Sequence, residues 1–177
     1  EDGVPLVGVV FQPEMYLPLS ESDRCLGRFV SAVRGQGAFS RRSEFVDGGF
    51  VMTDARPVKH RARTTTGAVV ACVPYSGKMT ADERALARRV YDSGVIGQTT
   101  GTGGAGGNVM MVVFGGQDVY ANLGAGVDLD LVPPQVIAEE AGFVVWGPDR
   151  KPPVWHVRKQ PFIVATDAEI AERFLTA

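Results

Sequence analysis

The sequence is poor in cysteine and histidine, which limits the metal and redox chemistry that it can carry. Of 177 residues, two are cysteine and two are histidine. Cys25 and Cys72 lie far apart and show no metal-type spacing, and His60 and His156 each lack a second ligand nearby in sequence. We therefore expect both histidines at the surface, Cys72 in the core, and a reduced intracellular compartment.

Long apolar runs and clusters of like charge are also missing. No run reaches the about 18 apolar residues of a transmembrane helix, and the N-terminus does not have the layout of a signal peptide. The net charge is −2 and no basic tract stands out, so nucleic acid and membrane surfaces are not expected partners. With 45% hydrophobic residues, the chain can bury a core in one domain or two small lobes. A soluble protein of the cytoplasm or an organelle matrix is expected.

Two common catalytic motifs are absent. No Gly-x-Ser-x-Gly elbow is present, which argues against a Ser-His-Asp hydrolase. The glycine-rich run GTGGAGG (101–107) lacks the Lys-Ser/Thr ending of a nucleotide-binding P-loop. Glycines allow backbone amides to approach an anion closely, so the run predicts either an anion-binding loop or a tightly packed turn.

The periodicity of the chain predicts both strands and helices. Thr80 and Glu83 have the spacing of a capping box, and so do Thr166 and Glu169. Residues 40–63 show no clear pattern, and 108–114 fits either a helix or a strand. The expected strands lie within 4–13, 28–39, 64–75, 117–123, 143–146 and 162–165, and the expected helices within 80–94, 131–142 and 166–175.

The order of these elements indicates an α/β protein. Strands and helices alternate in the second half, which predicts a sheet with helices on both faces. The first 75 residues are rich in strands and predict an antiparallel or mixed sheet. We therefore expect two lobes, 1–75 and 76–177.

Two aspartates just before the helix in DLDLVPPQVIAEEAG (128–142) raise a choice between capping and metal binding. Asp130 could be the N-cap, with Pro133 and Pro134 in a first turn whose amides have no intrahelical partner. Alternatively, Asp130 could bind a hard cation such as Mg2+, which prefers carboxylate oxygen. Asp128 is a second candidate ligand, but its position favours a solvated loop charge.

Four segments together resemble the inositol monophosphatase family, the magnesium-dependent, lithium-sensitive phosphatases related to fructose-1,6-bisphosphatase. VPLVGVVFQP (4–13) and AVRGQGAF (32–39) are similar to the family's GVV-x-x-P and GxGA strand pair. The family segment GTAA-x-N followed by A-x-GG-x-D-x-Y is similar to GGAGGNVMMVVFGGQDVY (103–120). The family motif WD-x-AAG-x-x-I-x-x-EAG is similar to LDLVPPQVIAEEAG (129–142). The resemblance covers nearly the whole chain.

This resemblance implies a layered αβαβα sugar-phosphatase fold, here with an incomplete N-terminal part. It implies that Asp130 binds Mg2+, and that Gly103, Gly104 and Ala105 approach the substrate. Asn122 falls near a family glutamate that contacts substrate hydroxyls, so that contact is altered or lost. The resemblance also implies a homodimer.

The sequence departs from the family pattern at several site positions. Leu129 replaces the tryptophan of the WD motif, and Val132, Pro133 and Pro134 replace AAG. The sequence lacks two metal-binding features that lie upstream in the family: the box Asp-Pro-(Ile/Leu)-Asp-Gly-(Thr/Ser) and an earlier glutamate. We therefore expect that an upstream segment is missing.

Two functions remain open. The first is a Mg2+-dependent phosphomonoesterase that acts on a small phosphorylated polyol or nucleotide through an activated water. The second is a non-catalytic relative retained as a subunit or scaffold. Because one carboxylate cannot build a two-metal site, we expect these 177 residues alone to be inactive.

Overall fold

The computed structural model describes residues 4–13, 25–60, 67–74, 79–102, 104–123, 128–153 and 161–177. Within these ranges, ten strands form two five-stranded sheets, accompanied by four helices. The chain therefore has the mixed α/β architecture that its sequence predicts.

The first sheet is antiparallel, with strand order β1-β2-β3-β4 and with β5 paired to β3. Along β2, Val30 and Ala32 are buried while Ser31 and Val33 are exposed, the alternation expected of a sheet with one covered face. The unassigned residues 40–63 include β4, which is exposed at every position and so shows no alternation. The strands are β1 (Val7–Pro13), β2 (Cys25–Val33), β3 (Ala38–Val46), β4 (Gly49–Met52) and β5 (Arg56–Pro57).

The second sheet is mixed, with strand order β7-β6-β8-β10-β9. β6 runs parallel to β7 and β8, whereas β10 is antiparallel to both of its neighbours. β6 lies in the lobe 1–75 of the sequence prediction, yet it pairs within this second sheet. The strands are β6 (Val69–Cys72), β7 (Ile96–Thr99), β8 (Val119–Asn122), β9 (Val144–Trp146) and β10 (Phe162–Ala165).

Helices cover both faces of the second sheet, as predicted. On one face, α1 and α4 pack in a core that includes Val90 and Phe174. On the other face, α2 and α3 share a second core with residues of both sheets, among them Val30, Ile137 and Val164. The helices are α1 (Ala81–Asp92), α2 (Ala105–Val113), α3 (Asp128–Glu140) and α4 (Ala168–Leu175), so residues 108–114 are mainly helical. No helix in the described ranges has the length and apolar character to cross a membrane.

The described residues form four layers: the first sheet, α2 with α3, the second sheet, and α1 with α4. The outer face of the first sheet displays large apolar side chains, and Val7 and Val9 are each 57% exposed. Phe11 and Phe39 are exposed by 44% and 38% in the same sheet. The fifth layer of an αβαβα fold is not among the described residues.

One of the two predicted capping boxes is confirmed. At α1, Thr80 Oγ1 accepts from the Glu83 amide, and Glu83 Oε2 accepts from the Thr80 amide at 2.6 Å. The box predicted for Thr166 and Glu169 is wrong, because Asp167 is the N-cap of α4 and accepts from the Ile170 amide at 2.8 Å. Thr166 instead extends the sheet, donating its amide to the Asp118 carbonyl.

His60 is partly buried, contrary to the expectation of a surface histidine. Its ring packs edge-on against Phe143 at 4.8 Å between centroids, and it shares a hydrogen bond with the Thr166 carbonyl oxygen. A local polar neighbourhood in sequence does not reveal this long-range packing. His156 lies outside the described residues.

Glu140, in the EAG motif, joins the end of α3 to the turn between β2 and β3. Its two carboxylate oxygens accept from the Gly35 and Gly37 amides, each at 2.8 Å. Both glycines have positive φ, 78° and 82°, a conformation that other residues adopt at a cost. The Gly35 amide, aided by the Gly37 amide and the Arg34 charge, holds the pKa of Glu140 below its ordinary value. The EAG and GxGA motifs therefore meet in a structural clamp.

We expect Glu140→Gln to lower the stability of the fold at neutral pH and to make that stability less sensitive to acid. A carboxylate with a depressed pKa stabilises the fold fully above its ordinary value of 4.5, and this stabilisation is lost as the pH falls through the folded-state pKa. The substitution should cost about 1.5 kcal/mol, the low end for a hydrogen bond to a charged group, because the side chain is partly exposed. Urea unfolding at neutral pH and well below 4.5 measures this difference.

The control is Glu169→Gln, which changes an exposed acid in the first turn of α4. The difference between wild type and Glu140→Gln should shrink in acid, whereas the control should stay close to wild type throughout. A constant difference at both pH values would contradict an ionic clamp.

Candidate functional site

Asp130 lies within the first turn of α3 and is not its N-cap. The helix begins at Asp128, so Asp130 is its third residue, and its side chain is exposed. The capping prediction is therefore wrong, and Pro133 and Pro134 lie in the second turn rather than the first. An acid in the first turn still interacts favourably with the helix dipole. Because the Asp130 side chain is exposed, its carboxylate is accessible to a ligand.

Asp130 stands beside the end of β8. Tyr120 is only 1% exposed, and the pKa of its phenol is raised by burial, then by the nearby Cys72 and Asp130. Burial also raises the pKa of the half-buried Cys72 thiol, which disfavours the thiolate required of a nucleophile. Cys72 and Tyr120 are partners in the parallel pairing of β6 and β8. The carboxyl ends of these two strands therefore lie at the same end of the second sheet. We call this the carboxyl edge.

The helix α2 begins at the same carboxyl edge with uncapped amides. Gly104 is its N-cap, with φ −118° and ψ 141°, and no side chain caps the first turn that starts at Ala105. Unpaired amides and the helix dipole make such an N-terminus favourable for an anion. Of the predicted substrate-contacting residues, Gly104 and Ala105 therefore lie at this helix start, while Gly103 falls outside the described residues.

Buried amide side chains hold the loop that leads into α2. Asn108 Nδ2 donates to the Gly104 carbonyl at 2.9 Å, and its Oδ1 accepts from the Thr102 amide at 2.9 Å. Gln117 Nε2 donates to the Thr100 carbonyl at 3.2 Å. Both amide side chains are buried, and neither is among the site residues predicted from the sequence. The signal was present for Asn108, since it is the asparagine of GTAA-x-N.

Asn122 is the last residue of β8 and therefore also lies at the carboxyl edge. It is 8% exposed, and its backbone pairs with Phe162 in β10. The end of β8 thus places Asn122 close to the sheet edge from which α2 and α3 begin. The predicted residues Gly104, Ala105, Asn122 and Asp130 are grouped at one end of one sheet.

Direct backbone contact joins the starts of α2 and α3. A Cβ atom built on Gly106 would lie 3.1 Å from the Asp130 carbonyl oxygen. This approach places the uncapped first turn of α2 against the backbone of Asp130, whose side chain is exposed.

The donor set fits one part of a magnesium site. Mg2+ is bound through one or two carboxylates together with phosphate oxygens and water, and exposed Asp130 can supply one carboxylate. The described ranges contain no group of three or more His, Cys, Asp or Glu side chains that could hold a metal ion. Asp128 begins the helix, and the position of its side chain is outside what the structure describes.

The aspartate of GGQDVY has a structural position away from the carboxyl edge. Asp118 Oδ2 accepts from the Val70 amide at 2.8 Å, and the backbone of Asp118 pairs with both Val70 and Thr166. Asp118 is 1% exposed at the start of β8 and joins β6, β8 and β10. Its motif therefore contributes to the sheet rather than to the candidate site.

The sequence model of the inositol monophosphatase family matches residues 1–177. Among solved structures, CysQ from Bacteroides thetaiotaomicron, a bacterial member of that family, is similar with 19% identity and a TM-score of 0.60 over 95% of this chain and 60% of its own. Mycobacterium tuberculosis SuhB is similar with 18% identity and a TM-score of 0.59 over 84% of this chain and 53% of its own. Among the curated proteins, none matches the chain.

A calcium-bound member of the family from Staphylococcus aureus is also similar, with 19% identity and a TM-score of 0.57. The similarity covers 84% of this chain and 50% of that protein. The chain thus spans between 50% and 60% of the length of these three solved relatives. At such identities the likeness concerns the fold.

Proposed function

Because the chain belongs to the inositol monophosphatase family, we propose that it supplies the phosphate-binding half of a Mg2+-dependent phosphomonoesterase. The observation that carries this proposal is the contact between the start of α2, with its uncapped amides, and the start of α3, with exposed Asp130. An anion acceptor and a cation ligand side by side suit a phosphate bound together with a divalent metal.

Each residue has a distinct role in this proposal. The first-turn amides that follow Gly104 and Ala105 donate to phosphate oxygens, and the Asp130 carboxylate supplies an oxygen ligand for the metal. The bound metal would neutralise phosphate charge and make water a better nucleophile. Hydrolysis would follow direct attack of water on phosphorus, without a covalent enzyme intermediate.

We further propose that the substrate is a small phosphorylated polyol or a nucleotide. Asn122 falls near a family glutamate that contacts substrate hydroxyls, and its neutral side chain would offer a hydrogen bond to a substrate hydroxyl without adding negative charge. Asp130 alone does not complete a two-metal site, so further carboxylates must come from outside the described residues.

The alternative is a non-catalytic subunit or scaffold. Leu129, Pro133 and Pro134 replace the residues of the family motif around Asp130, and no three-ligand group is present in the described ranges. A protein of this class would keep the fold and release no phosphate.

We expect the full-length gene product to release phosphate from at least one phosphomonoester when MgCl2 is present. The assay measures inorganic phosphate from inositol phosphates, sugar phosphates and nucleoside monophosphates, with EDTA as the matched control. The 177-residue chain should bind Mg2+ weakly and show no turnover. Failure of the full-length protein on every substrate class would favour the non-catalytic subunit.

A further inference from the structure

The second turn of α3 contains two consecutive prolines, and these alter the backbone around Asp130. Pro133 and Pro134 have no amide hydrogen, so the carbonyl oxygens of Leu129 and Asp130 lack the donors four residues ahead that a regular helix provides. A proline ring also crowds the carbonyl four residues before it, which pushes that carbonyl outward. The carbonyl crowded by Pro134 is that of Asp130.

Gly106 of α2 lies against the Asp130 carbonyl oxygen. A Cβ on Gly106 would stand 3.1 Å from the Asp130 carbonyl oxygen and 3.9 Å from Pro134 Cγ. The first distance is shorter than an ordinary carbon–oxygen contact, so an alanine would displace the Asp130 backbone by a few tenths of an ångström. The absence of a side chain at residue 106 therefore allows the prolines at 133 and 134.

The family motifs show the opposite distribution of small residues. Alignment on Asn108 places Gly106 at the second alanine of GTAA-x-N, and Pro134 stands at the glycine of WD-x-AAG. On α2, this chain has glycine where the motif has alanine. On α3, it has proline where the motif has glycine. The two positions lie in contact, so the two departures compensate for each other.

We propose that Gly106 and Pro134 are positioning residues that fix the position of Asp130 relative to the first turn of α2. We call them an exchanged pair, because the smaller and the larger residue have changed places relative to the family motifs. This inference rests on the proposed function, because the position matters through the phosphate and the metal held between the two helix starts. Apart from the Gly106 amide, which is among the proposed phosphate donors, neither residue contacts the substrate in this proposal. Their effect acts through the Asp130 backbone, to which both are adjacent.

The test is a double-mutant cycle in the full-length gene product with Gly106→Ala, Pro134→Gly and both together. Gly106→Ala should lower kcat and kcat/KM alike by about tenfold, since small displacements at a reacting centre are costly when they affect the transition state. Adding Pro134→Gly to Gly106→Ala should restore most of the lost kcat. Gly67→Ala is the control, because nothing lies within 4 Å of its added Cβ.

A second readout is the midpoint of urea unfolding, measured without metal or substrate. The double variant should lose less stability than the sum of the losses in the two single variants. Equal kcat in Gly106→Ala and Gly67→Ala, or additive shifts in the unfolding midpoint, would overturn the exchanged pair. If wild type hydrolyses no phosphomonoester, the proposed function fails separately, and the unfolding cycle alone decides whether the two residues compensate.

Discussion

Gly8→Ala is expected to lower the free energy of unfolding by about 3 kcal/mol or more, the upper range for overpacking a core. A Cβ at this position would lie 2.1 Å from the Pro133 carbonyl oxygen and 3.2 Å from the Val136 Cβ. The nearest atom belongs to a helix backbone, so β1 and α3 must separate to make room. Urea unfolding monitored by far-UV circular dichroism measures the loss.

Two alanine variants calibrate this effect. Gly67→Ala adds a methyl group with nothing within 4 Å and should unfold close to wild type. Gly116→Ala places its Cβ 2.5 Å from Met111 Cε, the end of a flexible side chain that can rotate away, so its loss should be intermediate. If Gly8→Ala unfolds at the same urea concentration as Gly67→Ala, the close approach of β1 to α3 is wrong.

Asp130→Asn should abolish most Mg2+-dependent activity of the full-length protein while leaving the fold intact. It removes the negative charge that a hard divalent cation requires. We expect a loss of about a hundredfold or more, since even the outer partners of metal ligands contribute 10- to 100-fold. Stability without metal should fall by only about 0.3–1 kcal/mol, the value of an acid near a helix N-terminus. Phosphate release at several MgCl2 concentrations and urea unfolding separate the two effects.

Asp82→Asn is the matched control, because Asp82 is an exposed acid in the first turn of α1. Both variants lose one favourable interaction with a helix dipole, but only Asp130 stands at the carboxyl edge beside the start of α2. Equal activity of the two variants would show that Asp130 has only a helix-stabilising role.

Features determined by neighbouring residues could be predicted from the sequence. The capping box of Thr80 and Glu83 spans one turn, so its residues alone define the start of α1. The helical pattern of α3 is also predictable, and Gly142, two residues after the last helical residue Glu140, has the positive φ of 89° that is typical just beyond a helix end. The grouping of site residues came instead from the family motifs, because no local pattern places Gly104 near Asp130.

Features determined by distant contacts could not be predicted. Asp130 had the spacing of an N-cap, but α3 extends to Asp128 and its prolines fall in the second turn. Glu140 gave no sign in sequence of its bonds to Gly35 and Gly37, which lie more than 100 residues earlier. The pairing of β6 with β7 and β8 likewise depends on contacts across the sheet, so its place in the first lobe was assigned from sequence order alone.

The core around α2 and α3 has a consequence for how this chain can be divided. Val30 and Ala32 from the first sheet, and Tyr120 and Val164 from the second, are buried in the same cluster around these two helices. A gene split between β5 and β6 would therefore give two products that each expose one side of that cluster. Such halves would have to associate to become protected from proteolysis, and a recombination event at this point would have to bring in a partner sheet of matching shape.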